Sequence, residues 1–116
     1  MKTLHACIGL VGIAVGLIPG FVAADSTSAK NGKAAFMRDG CWECHGTGGQ
    51  GTNAGPKLAP NPLPFEVLSS FVRNTSRQMP AYRIAVLTDK DLADIYAYLQ
   101  SIPKSPDYKS LPLLAQ

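Results

Sequence analysis

The feature that most constrains this chain is a five-residue run from Cys41 to His45, with the letters CWECH. Its two thiols are three residues apart, about one helical turn, and an imidazole follows directly after the second thiol. Thiols at this spacing can add to the two vinyl groups of a haem, while the imidazole binds the iron. The run therefore predicts one covalently attached haem c, with Cys41 and Cys44 as thioethers and His45 as an axial iron ligand.

Two other functions use closely spaced cysteines: a thioredoxin-like dithiol and one half of a zinc site. A dithiol of that kind is expected to follow a β-strand, and a zinc site needs two further Cys or His ligands. Beyond residue 24, where the signal peptide predicted below ends, the sequence supplies neither feature. Haem attachment is therefore the preferred interpretation.

The first 24 residues differ from the rest of the chain. Lys2 is followed by an apolar run that reaches Ala24, and polar residues begin at Asp25. This order predicts a signal peptide over residues 1–24, cleaved after Ala24, and a periplasmic protein that is not held in the membrane. An uncleaved anchor is the alternative, but Pro19 and the glycines of the run favour cleavage. Export is consistent with covalent haem attachment, which takes place outside the cytoplasm.

Without that segment the chain keeps two cysteines, Cys41 and Cys44, and one histidine, His45. A disulfide framework is therefore excluded, and so small a domain needs another stabilising element, such as a bound cofactor. The 11 Lys and Arg exceed the 8 Asp and Glu, giving a net charge of +3. Because these basic residues are scattered and form no stripe, nucleic-acid binding is not expected.

The predicted fold class is all-α: three to four short helices and loops wrapped around one haem. Helices are expected over 29–38, 65–73 and 89–102, in a domain spanning 25–102. Thr88 is the expected N-cap of the last helix, with Asp91 as its capping-box acid. A glycine-rich loop and a proline-rich stretch fill 46–64. Two apolar faces are expected to be buried: Phe65, Val67, Leu68, Phe71 and Val72 on the second helix, and Leu92, Ile95, Leu99 and Ile102 on the last.

The other axial position is expected to be taken by Met79. It lies in a loop 34 residues after His45, long enough to pass around the haem edge to its opposite face. Met37 is four residues before Cys41 and is tied to the histidine side. The alternative role for Met79 is to fill the core. A methionine ligand raises the reduction potential and closes the coordination site.

The sequence from Asp25 to Ile102 resembles the class I cytochromes c, and is most similar to short bacterial members of that family. The resemblance rests on these residues: Gly32 and Phe36 in the first helix, Tyr98-Leu99 in the last, Gly55-Pro56-Lys57-Leu58, and Arg77 to Tyr82. It implies that the Pro56 carbonyl accepts a hydrogen bond from His45 Nδ1, and that 77–82 is the axial methionine loop. No tryptophan follows Trp42, so the haem propionates need other partners; the candidates are Arg73, Asn74, Arg77 and Tyr82.

The resemblance implies a carrier of single electrons between periplasmic redox proteins, such as a dehydrogenase, an oxidase or a reductase, and not an enzyme. A first alternative is a dedicated cytochrome subunit of a dehydrogenase complex. It would dock through the proline-rich tail, 103–116, which carries Leu111, Leu113 and Leu114. That tail could instead fold back over its own domain. A second alternative is a haem peroxidase or gas sensor with an open sixth position.

Overall fold

A computed structural model describes residues 26–113 of the chain. The predicted signal peptide, residues 1–24, lies outside the described residues, and so does Leu114. The described part has no β-strand and contains four α-helices and one short 3-10 helix, which confirms the predicted all-α class. These elements are α1, Ser26–Arg38; α2, Cys41–His45; α3, Phe65–Asn74; α4, Asp89–Ser101; and the 3-10 helix, Tyr108–Ser110.

Helix α1 leads directly into the CWECH run. It begins three residues before the predicted start, and it ends before Gly40, whose φ of 75° places it in the left-handed region. Few residues other than glycine adopt that conformation without strain. The main-chain turn at Gly40 then starts α2, so Cys41 and Cys44 stand on a helix of their own.

The hydrophobic core is built where α1 packs along α4. Phe36 of α1 and Tyr98 of α4 meet edge to face, with ring centroids 5.7 Å apart. The Tyr98 hydroxyl donates to the Thr47 carbonyl at 2.7 Å, which connects α4 to the loop after α2. Of the predicted α4 stripe, Leu92, Ile95 and Leu99 are buried and Ile102 is partly buried. The first and last helices together enclose most of the apolar core.

Helix α3 buries a narrower face than predicted. Leu68 and Val72 are buried, but Val67 and Phe71 are 51% and 47% exposed, so the prediction of five buried residues was wrong. Leu68 and Val72, four residues apart, lie in the core, and Phe65 is partly buried against it. Phe71 instead faces a large cavity. The sequence pattern was apolar on that side because the cavity is apolar.

Helix α4 begins at the predicted N-cap. The Thr88 hydroxyl oxygen accepts a hydrogen bond from the Asp91 N–H at 3.0 Å. The Asp91 carboxylate, expected to complete a capping box, contacts Arg38 at 3.2 Å instead. It therefore connects the end of α1 to the start of α4. This ion pair is largely exposed, so its contribution to stability is small.

The tail after α4 is exposed over the part that the structure describes. Asp107 caps the 3-10 helix by accepting from the Lys109 N–H at 3.0 Å. Leu111 and Leu113 are 38% and 87% exposed, and neither belongs to the core. Between residues 26 and 113, the helices are all too short or too polar to cross a membrane.

Candidate functional site

The CWECH run forms helix α2, which presents its side chains in different ways. His45 is buried, with 7% of its surface exposed, whereas Cys44 is exposed and Cys41 is partly buried. Both cysteines are free thiols. One turn of helix thus holds two available thiols beside one enclosed imidazole.

The glycine-rich loop after α2 folds back on the run. The Gly51 N–H donates to the His45 carbonyl at 2.8 Å, and the Thr52 hydroxyl donates to the Cys44 carbonyl. Gly51 has a φ of 84°, which favours glycine. Gly55 lies so close to Cys44 that a β-carbon there would be 2.8 Å from the Cys44 carbonyl oxygen. The loop therefore surrounds the end of α2 with main-chain contacts.

The imidazole of His45 is oriented by the main chain. Its Nδ1 lies 2.7 Å from the carbonyl oxygen of Pro56 and donates to it, in the contact that the family resemblance implies. A ring that donates from Nδ1 keeps its lone pair on Nε2. Such an acceptor fixes the tautomer and makes the imidazole a stronger ligand. His45 is thus prepared to bind a metal through Nε2.

The Cys41 thiol is not activated for thiol redox chemistry. Burial, with a smaller effect of the Asp39 charge, raises the pKa of the Cys41 thiol to about 11. A redox-active cysteine needs the opposite shift, because the thiolate is the nucleophile. Among residues 26–113, no group of three or more Cys, His, Asp or Glu side chains is arranged to hold a metal by itself. Both alternatives to haem attachment therefore lack support.

A cavity of about 860 Å³ opens beside α2. This volume lies within the range of cofactor pockets, roughly 300–1,000 Å³. Cys41, Cys44, His45 and Met79 all line it, whereas Met37 does not. The other lining residues are mainly apolar and include Phe36, Leu58, Leu63, Leu68, Phe71, Val72, Leu87, Leu92, Ile95 and Leu99. The fold thus brings the four predicted haem-binding side chains to one apolar space.

Among the described residues, two cations and no carboxylate line the cavity, and this charge suits a cofactor with two carboxylates. The cations are Lys57 and Arg77. Of the other candidates for binding propionates, Arg73 and Asn74 do not line the cavity. Tyr82 does, but its hydroxyl donates to the Asp39 carbonyl. Lys57 was not among the predicted propionate partners, although it directly follows Pro56, the predicted partner of His45.

The apolar lining, the thiols, the oriented imidazole and the two cations together fit a haem. A comparison with protein-family models matches residues 27–99 to the family described as cytochrome c oxidase, cbb3-type, subunit III. Neither curated proteins nor solved structures gave a significant match. Because the matched region covers more than half of the chain and includes both the CWECH run and Met79, the chain belongs to this family of cytochrome c domains.

Proposed function

We propose that the protein is an exported monohaem cytochrome that carries single electrons between periplasmic redox proteins. Cys41 and Cys44 attach the haem, and His45 and Met79 are its axial ligands. One observation carries the proposal: the oriented imidazole, both thiols and Met79 line the same apolar cavity. The family match supports electron transfer by a c-type cytochrome.

In this proposal each side chain has a separate task. The bound haem supplies one-electron chemistry by cycling between ferrous and ferric iron. His45, held by Pro56, gives a ligand of fixed tautomer, and Met79 occupies the position at which a substrate or gas would bind. The apolar lining keeps water away from the centre. The residues therefore support a carrier better than a peroxidase or gas sensor.

Lys57 and Arg77 complete the site in this proposal by facing the propionate carboxylates. Both line the cavity, and neither is in an ion pair in the described part of the chain. Opposite charge close by favours the ionised carboxylates. With a haem bound, the opening of this cavity is where an electron donor or acceptor would approach.

The decisive experiment compares two methionine variants. Met79→Ala should remove the far-red absorption band of the ferric protein that arises from methionine-to-iron charge transfer. Met37→Ala is the matched control, because Met37 lies on α1 outside the cavity lining, and it should keep the band. A parent protein without the band, or a Met79→Ala variant that retains it, would contradict methionine ligation.

Attachment and export are tested on protein recovered from the periplasm. Its mass should equal one haem plus the polypeptide that begins at Asp25, and the haem should stay attached after denaturation. Cys41→Ala with Cys44→Ala should abolish covalent attachment. Recovery in the membrane fraction, with a mass that still includes residues 1–24, would show that the leader is retained as an anchor.

A second candidate function is a dedicated cytochrome subunit of a larger redox complex. It is favoured by the exposed leucines of the tail, Leu111 and Leu113, and by the name of the matching family, which is that of an oxidase subunit. Deletion of 105–116 should then release a co-purifying dehydrogenase or oxidase subunit while the haem domain stays folded. A parent protein that is purified as a lone monomer would favour the free carrier.

A further inference from the structure

Met79 lies in the loop of residues 75–88, which joins α3 to α4, and Tyr82 fastens this loop near its middle. Three residues after Met79, Tyr82 makes three hydrogen bonds outside the loop. Its N–H donates to the Val72 carbonyl of α3 at 2.9 Å, and its carbonyl accepts from Arg73 at 2.9 Å. Its phenol donates to the Asp39 carbonyl at 2.7 Å. Tyr82 thus connects the loop both to α3 and to the turn before Cys41.

Arg73 extends this attachment to the start of α4. The same guanidinium nitrogen that binds the Tyr82 carbonyl also donates to the Leu87 carbonyl at 2.8 Å, and the second nitrogen pairs with Asp89 at 2.8 Å. The Arg73 side chain is only 16% exposed, so its hydrogen bonds to the two carbonyls are partly buried, whereas the Asp89 carboxylate is exposed. Hydrogen bonds from a charged, partly buried donor are stronger than neutral ones. One side chain therefore fixes both Tyr82 and Leu87 to α3.

The phenol of Tyr82 joins two parts of the chain: the loop that carries Met79 and the turn that leads into the helix of His45. Asp39 is two residues before Cys41, and Tyr82 is three residues after Met79. This hydrogen bond thus helps to hold the methionine loop beside the haem-attachment helix. Because the haem is bonded to that helix, the bond also limits how far Met79 can move away from the iron.

We propose that Tyr82 and Arg73 are positioning residues for Met79: they fasten its loop to α3 and to the turn before Cys41, and so keep exogenous ligands from displacing the thioether. This inference rests on Met79 being the axial ligand. Displacement requires the loop to open, and the free energy of opening includes the loss of these hydrogen bonds. The residues touch the loop and not the iron, and they act through Met79.

The test is a titration of the ferric holo-protein with imidazole. Binding is measured as the loss of the far-red band. Tyr82→Phe keeps the ring and removes one hydrogen bond, so imidazole should bind roughly two- to tenfold more tightly. Arg73→Met removes three hydrogen bonds and leaves two carbonyls unpaired. The increase in imidazole affinity should therefore be larger, on the order of tenfold or more. If Arg73→Met fails to fold, Tyr82→Phe still decides the question.

Tyr98→Phe is the matched control, because Tyr98 also donates from its phenol to a main-chain carbonyl at 2.7 Å, but outside the cavity lining. It should lower the urea midpoint of unfolding about as much as Tyr82→Phe while leaving imidazole affinity within about twofold of the parent. Equal imidazole affinities for the two phenylalanine variants would overturn the inference. A merely structural role of Tyr82 gives that result.

Met79→Ala is measured in the same series, so that failure of the ligand assignment is recognised separately. If the assignment holds, this variant lacks the far-red band, so its imidazole binding is measured from the shift of the main haem absorption band instead, and it binds imidazole most tightly of all. If it fails, the variant behaves like the parent, and both proposals fall together. Loss of the band in Met79→Ala with unchanged imidazole affinity in Tyr82→Phe and Arg73→Met overturns the positioning role alone.

Discussion

Gly32 of α1 rests directly on the main chain of α4 at Asp94: a β-carbon built on Gly32 would overlap the Asp94 carbonyl oxygen. The two helices approach this closely only because residue 32 has no side chain. The contact sets the spacing of the crossing that holds Phe36 against Tyr98. The stability of the domain therefore depends on residue 32 having no β-carbon.

Gly32→Ala should destabilise the holo-protein. Alanine is the better helix former by about 1 kcal/mol, but the methyl group meets main-chain atoms that no rotamer change can move. Overpacking of this kind costs about 1–3 kcal/mol, so we expect a net loss in urea unfolding. Asn31→Ala, at an exposed position one residue earlier, is the control. A variant at position 32 that is as stable as this control would show that the helices can separate freely.

Gly55→Ala should impair haem attachment. A β-carbon at residue 55 would lie 2.8 Å from the Cys44 carbonyl oxygen and 3.1 Å from the Cys44 β-carbon, so the loop must shift away from the thiol. We expect most of the exported polypeptide to lack haem, as measured by the ratio of haem absorbance to protein. Gly48→Ala is the matched control in the same loop. Its β-carbon meets only the Gln50 side-chain oxygen, at 3.3 Å, and its haem content should equal that of the parent.

Thr88→Ala should lower the free energy of unfolding by about 1 kcal/mol, because the Asp91 N–H loses its hydrogen-bond acceptor at the start of α4. Thr88→Ser keeps the hydroxyl and should stay within a few tenths of 1 kcal/mol of the parent. Urea denaturation of both variants measures the difference. An equal decrease in the free energy of unfolding for the two variants would mean that the methyl group of Thr88, and not its hydroxyl, stabilises the helix.

Asp94→Asn should destabilise the protein near neutral pH but not in acid. A hydrogen bond from Lys90, at 2.6 Å, lowers the pKa of Asp94; burial opposes this shift, and Ser28 adds to it. A pKa below the unfolded value of 3.8 stabilises the folded state above that pH, and the effect is lost as pH falls through the folded pKa. The difference in urea midpoint between parent and variant should therefore shrink below about pH 4.

Lys90→Met provides the control for this prediction, because it removes the largest cause of the shift and keeps the carboxylate. Lys90→Met should reproduce part of the decrease in urea midpoint that Asp94→Asn causes at neutral pH. High salt should make the decrease smaller for both variants. A midpoint difference for Asp94→Asn that stays constant from pH 7 to pH 3 would refute the assigned ion pair.

Local signals in the sequence predicted the helices well. Gly40 ends α1, Thr88 begins α4, and the spacing of Leu92, Ile95 and Leu99 identified the buried face. Each of these signals acts within one or two turns of helix, so the sequence alone contains the information. Met79 was placed from loop length, and it does line the cavity. Its role as a ligand stays a prediction.

The errors concern residues whose partners are distant in the chain. Phe71 looked like a core residue, yet it lines the cavity, because apolar composition does not distinguish a protein core from a pocket for an apolar cofactor. Arg73 looked like a propionate partner, yet its guanidinium reaches Tyr82, Leu87 and Asp89. Such contacts depend on how the loops run in space, which spacing along the sequence does not report.

The acceptor of the His45 hydrogen bond is a main-chain carbonyl, so no side-chain substitution deletes it. Replacing Pro56 by any other residue leaves an oxygen on the backbone, and only a change in the course of the loop can withdraw it. The orientation of the imidazole is therefore unaffected by the choice of side chain at residue 56 and depends on the glycines that shape the loop. For an engineer who wishes to alter this contact, the position to vary is Gly51, where a β-carbon would meet the main chain of Pro56 and Lys57, because a side chain at Gly55 is expected to impair haem attachment.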